Sequence, residues 1–87
     1  MGFRLVFSKQ ALKDARKLEQ ASLDRKAKKL LKILSENPFQ NPPPYETLVG
    51  DLTGKYSRRI NIHHRLVYKV LEEESTVIVF RMWTHYE

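Results

Sequence analysis

Five residues in the second half of the chain carry side chains suited to a single reaction. Arg59 and Arg65 bracket Ile60-Asn61-Ile62-His63-His64, Glu46 follows a run of prolines, and His85-Tyr86 stand near the end. If the bracketed segment is a hairpin whose turn centres on Ile62, Arg59 lies opposite Arg65 and both guanidinium groups share one face of a sheet. A two-residue turn would offset the pair. Like charges facing each other across strands destabilise a sheet by roughly 0.2–1 kcal/mol, a cost that an anion between them removes. Lys69, four residues beyond Arg65, would join the same face. RNA is cut when a ribose 2′-hydroxyl attacks the adjacent phosphate. That step needs a base for the hydroxyl, an acid for the leaving oxygen and cations for the charge growing on phosphorus. Glu46, His85 and the Arg59/Arg65 pair match those needs in turn, and the His85-Tyr86 tail can stack on bases.

Each of these residues also has a plainer account. A basic sheet face is equally compatible with simple solvation. A Glu placed like Glu46 is more often a surface residue or the partner of an arginine, and an isolated terminal His-Tyr is more often a frayed or packing tail. His63 and His64 are adjacent on the chain and point to opposite faces, so they read as turn surface and not as joint metal ligands. No carboxylate cluster suited to Mg²⁺ is evident. The expected chemistry therefore uses no metal and no cofactor.

The elements that must position these residues follow from periodicity. Phe3, Leu5 and Phe7 alternate with Arg4 and Val6 as in a half-buried strand. Ser8 stands where it can cap a helix carrying Ala11, Ala15 and Leu18 on one face. Leu23, Ala27, Leu30 and Leu34 recur at helical spacing, with Lys26, Lys28, Lys29 and Lys32 on the other sides. Asn37-Pro38 ends that helix, because the residue before proline is driven out of the helical region. Pro42-Pro43-Pro44 reads as a stiff, extended connector, Asp51 to Gly54 as a turn, and residues 56–61, 65–70 and 76–82 as three strands. The order predicts an α+β fold in one domain spanning residues 1–87: an N-terminal strand, two helices, then an antiparallel β-meander packed against the helices.

Bulk properties narrow the partners. Sixteen Lys and Arg against ten Asp and Glu give a net charge of +6 on only 87 residues, a field that attracts polyanions, nucleic acid foremost. With no cysteine, a disulfide framework and thiolate zinc sites are excluded. No signal peptide or membrane-length apolar run is present, so a cytoplasmic protein with no membrane partner is expected.

Beyond these physical readings, the chain resembles the YoeB (Txe) branch of the RelE superfamily of toxins over nearly its whole length. The resemblance rests on Leu5-Val6-Phe7-Ser8, Asn37-Pro38-Phe39 and Tyr45-Glu46-Thr47-Leu48. It is densest in Leu52-Thr53-Gly54-Lys55-Tyr56-Ser57-Arg58-Arg59-Ile60-Asn61 and His63-His64-Arg65-Leu66-Val67-Tyr68, and closes with Arg81 and His85-Tyr86. It implies a type II toxin that binds the ribosomal A site and cleaves mRNA there, inhibiting translation. Glu46 would be general base, His85 general acid, Arg65 the stabiliser of the transition state, Arg59 a phosphate contact, and Tyr86 would position the RNA. It further implies a homodimer, a YefM/Axe-like antitoxin, and contact with operator DNA only through the antitoxin complex. Val49 departs from the family, which often has a basic residue there, the stretch from Arg81 to His85 is longer than in the shortest members, and Glu87 follows the terminal tyrosine. Two other readings stay open: a ParE-like toxin that inhibits gyrase and needs none of Glu46, His85 and Tyr86, and a non-catalytic RNA- or ribosome-binding module.

Overall fold

A computed structural model describes residues 2–83. The first strand, β1 (Arg4–Phe7), alternates exposed Arg4 and Val6 with half-buried Leu5 and Phe7. Helix α1 (Lys9–Gln20) begins at Ser8, whose hydroxyl accepts the Ala11 N–H at 3.0 Å and donates to the Phe80 carbonyl at 2.8 Å. That one side chain satisfies a free N–H of the first turn and ties it to the last strand. Helix α2 (Asp24–Glu36) buries Ala27, Leu30 and Leu34 and stops at Asn37, which is extended. Four further strands follow: β2 (Glu46–Thr47), β3 (Tyr56–Arg59), β4 (Arg65–Leu71) and β5 (Thr76–Arg81).

These form one sheet in the order β1-β5-β4-β3-β2. Strands β2 to β5 pair antiparallel, and β1 pairs parallel to β5, with Leu5 opposite Val77 and Phe7 opposite Val79. The α+β order read from the sequence holds: the expected N-terminal strand, β1, joins one edge of the sheet, and a two-residue strand not expected from the sequence, β2, forms the other. The helices cover one face. Leu18 and Leu34 pack there with Leu66, Tyr68, Val77 and Val79, all within 1% of complete burial. Each such aliphatic side chain contributes about 1.5–3 kcal/mol on leaving water. Because side chains alternate along a strand, the opposite face, which the helices leave open, receives Arg4, Val6, Glu46, Lys55, Ser57, Arg59, Arg65, Val67, Lys69, Ile78 and Phe80. Among the described residues no helix is long and apolar enough to cross a membrane.

Candidate active site

The open face is organised by the β3–β4 hairpin. Arg59 stands opposite Arg65 and Ser57 opposite Val67, the register that a turn centred on Ile62 requires. Asn61 sets that turn: its side-chain carbonyl accepts the N–H of His63 at 2.8 Å and of His64 at 2.7 Å, a local bond that closes the loop. On the next strand Glu46 stands opposite Ser57. Its carboxylate meets the Arg65 guanidinium at 3.1 Å, across the width of β3. The Arg65 side chain is 17% exposed and that of Glu46 is 63% exposed. A pair with one partner so wet contributes at most about 1 kcal/mol, so an anion that reached Arg65 would displace the carboxylate at little cost. Beneath this pair lies an anomaly. Ser57 is 1% exposed and its hydroxyl has no hydrogen-bond partner among the described residues, a state that costs about 1–3 kcal/mol for a buried polar group.

The arm bearing Glu46 is held from below by Arg58. Alternation turns Arg58 to the helix side of β3, where it is 1% exposed. Its guanidinium donates to the carbonyls of Pro43 at 2.6 Å, Pro38 at 2.9 Å and Gln40 at 2.9 Å, and to the Tyr68 hydroxyl at 3.0 Å. The Tyr45 ring lies 4.9 Å from the same cation, a contact worth about 0.5–2 kcal/mol. Segment 38–45 therefore bends at Pro42 and Pro43 and does not run as the extended connector expected of three prolines. Its carbonyls turn inward to satisfy the guanidinium. Burial pushes the Tyr68 phenol above its ordinary 10.0, against the pull of the Arg58 charge, so it stays neutral and can accept from Arg58 while donating to Pro38 at 3.2 Å.

A second clamp fixes the chain where it leaves β5. Asp14, fully buried on α1, accepts the N–H groups of Met82 at 2.9 Å and Trp83 at 3.2 Å and the Arg81 side chain at 3.0 Å, and Gln10 donates to its other oxygen. Burial by itself would raise the Asp14 carboxyl; the hydrogen bonds from Met82, Gln10, Arg81 and Trp83 together outweigh it and hold it below its ordinary 3.8. The Trp83 ring stacks on His64 at 3.9 Å between centroids. His64 is thus half-buried against the strand exit and is not turn surface, whereas His63 is exposed.

Of the five residues singled out by chemistry, Glu46, Arg59 and Arg65 come together on one sheet face; His85 and Tyr86 lie outside the described residues. Lys69 shares the face, as its spacing required. Among the described residues no group of three or more His, Asp or Glu converges as metal ligands would. Arg58 and Asp14 escaped notice, although each carried a signal. Asp14 falls between Ala11 and Leu18 on the apolar stripe of α1, and Arg58 has the core-facing parity of its strand. Both are charges at positions where burial is otherwise apolar.

Comparison with known proteins places this geometry in context. Residues 7–86 match the family model described as the YoeB-like toxin of bacterial type II toxin–antitoxin systems. The YoeB toxin of Streptomyces coelicolor is 34% identical over 82 residues, covering 90% of this chain and 95% of that protein. A YoeB/ParE toxin from Agrobacterium tumefaciens superposes with a TM-score of 0.86 at 29% identity, covering 97% of this chain and 100% of that one. The YoeB toxin of Staphylococcus aureus, 34% identical, has been solved with YefM and as a dimer. Those two structures superpose with TM-scores of 0.80 and 0.82, covering 99% of this chain and 100% of theirs.

Proposed function

The chain belongs to the YoeB-like toxins of bacterial type II toxin–antitoxin systems, and from that premise we propose that it is a ribosome-dependent endoribonuclease that cuts mRNA in the A site. The observation that carries the reading is the meeting of Glu46 and Arg65 at 3.1 Å on an open basic face, with Arg59 directly across from Arg65. In this reaction Glu46 takes the proton of a ribose 2′-hydroxyl, whose oxygen bonds to the adjacent phosphorus. The bond from phosphorus to the 5′-oxygen breaks, and His85 protonates that leaving oxygen. Arg65 leaves Glu46 to stabilise the negative charge on the phosphorane, Arg59 contacts phosphate, and Tyr86 positions the RNA. Protein side chains supply base, acid and cations, so the step needs neither metal nor cofactor.

The whole of residues 1–87 acts as one toxin domain in the cytoplasm, as a homodimer. A YefM-like antitoxin neutralises it, and the pair together contact operator DNA. The S. aureus relative solved with YefM and as a dimer supports both partners. A gyrase-directed, ParE-like action would leave the Glu46–Arg65 pair without a role.

The chemistry of the ends tests the reading. Cleavage of ribosome-bound mRNA should leave a 2′,3′-cyclic phosphate and a 5′-hydroxyl, so the downstream fragment is labelled by polynucleotide kinase without prior phosphatase. Ends carrying a 5′-phosphate would mean that water attacked instead, and the roles of Glu46 and His85 would fall.

A further inference from the structure

The unpartnered hydroxyl of Ser57 is a polar group with no evident use in the resting protein. It is fully buried, yet it lies on the catalytic face and not among the core side chains beneath the helices. Glu46 stands directly opposite it on β2 and Val67 opposite it on β4, so the Ser57 and Glu46 side chains are nearest cross-strand neighbours on one face. The Glu46 carboxylate is meanwhile engaged by Arg65, from the strand beyond. That engagement cannot persist through the reaction, because the same guanidinium is the cation drawn to the substrate phosphate. Once Arg65 turns to phosphate, Glu46 loses its partner at the moment when its orientation matters most.

We propose that Ser57 is a positioning residue for Glu46: its hydroxyl donates to the carboxylate once Arg65 has moved to the phosphate, holding one carboxylate oxygen while the other takes the 2′-hydroxyl proton. The inference deepens the ribonuclease reading and rests on it. It accounts for the pairing of two otherwise separate observations, an idle buried donor and a base whose acceptor is occupied only until substrate arrives. A hydroxyl suits the task because it is neutral. A second cation beside Glu46 would compete with the substrate for the base, as Arg65 does at rest.

The roles of the hydroxyl in folding and in catalysis pull in opposite directions, and this gives the test. Ser57→Ala removes a buried group that bonds to nothing in the resting fold, so the Tm should stay level or rise. With mRNA-programmed ribosomes, the same variant should lose about ten- to hundredfold in kcat, the span of one hydrogen bond to a charged group, with KM unchanged. Ser57→Cys, close in size but a weaker donor, should fall between Ala and wild type. Cutting by Ser57→Ala at the wild-type rate, or a fall in activity that only tracks a fall in Tm, would overturn the proposal and leave the ribonuclease reading standing. Failure of the wild-type protein itself to cut programmed ribosomes would remove both.

Discussion

Asp14 shows how much a single buried carboxylate can organise. It receives two backbone N–H groups and two side chains, and it does so from a helix nearly seventy residues away in the chain from the strand exit it holds. Its carboxyl is lowered in the fold, so the stability it contributes is full above its ordinary 3.8 and is lost as pH falls through the lower folded value. Urea denaturation of the wild type should therefore show stability dropping as pH is taken below 4, whereas Asp14→Asn should show a shallower drop over the same range. At neutral pH the variant should be weaker by about 1–2 kcal/mol, since a neutral amide oxygen takes the place of the carboxylate oxygen that accepts from Met82, Trp83 and Arg81, and the amide nitrogen then meets the Gln10 donor. Parallel curves for the two proteins would show that the proton linkage lies elsewhere.

Among the elements, the candidate catalytic face depends on a two-residue strand that could not hold itself. Among the described residues β2 pairs only with β3, and its approach is an arch of prolines fastened to Arg58. Lysine cannot replace that guanidinium, because Arg58 uses Nε and both terminal nitrogens to reach four acceptors in a fixed plane. Arg58→Lys should cost about 2 kcal/mol or more and should speed amide exchange in segment 40–48 ahead of the helices, as read by hydrogen–deuterium exchange. Exchange that rises uniformly over the chain would mean that Arg58 supports the whole core and not the arch in particular. The difference in range also explains which elements were legible in the sequence. The Ser8 cap, the two helices and the Arg59–Arg65 register are set by bonds within a few residues, so spacing and turn chemistry reveal them. The parallel docking of β1 on β5, the inward bend at Pro42 and Pro43 and the Asp14 clamp depend on contacts between distant segments, and periodicity carries no trace of such partners. Glu46 was legible as a candidate base and as an arginine's partner, and in the resting fold it is the latter.

Over the whole molecule, the distribution of charge favours contact with a polyanion. The open sheet face presents Arg4, Arg59 and Lys69, and the outer sides of the helices present Lys13, Arg16, Lys17, Lys26, Lys29 and Lys32, all exposed. Three of the ten acidic residues, Glu72, Glu73 and Glu74, are exposed together on the turn between β4 and β5, while Glu19 and Glu36 sit among the helix lysines. Such a layout gives the molecule an electrostatic direction as well as a net charge of +6, with the Glu46–Arg65 pair at the basic end of β4. Primer extension on mRNA engaged by translating ribosomes, comparing wild type with Glu46→Ala, measures what this arrangement is for. New 5′ ends inside ribosome-occupied codons with the wild type, reduced by roughly 10²–10⁴-fold with Glu46→Ala, are the expected result. Intact mRNA with the wild type, or equal cutting by both proteins, would contradict the assignment of this face as a ribonuclease centre built on Glu46.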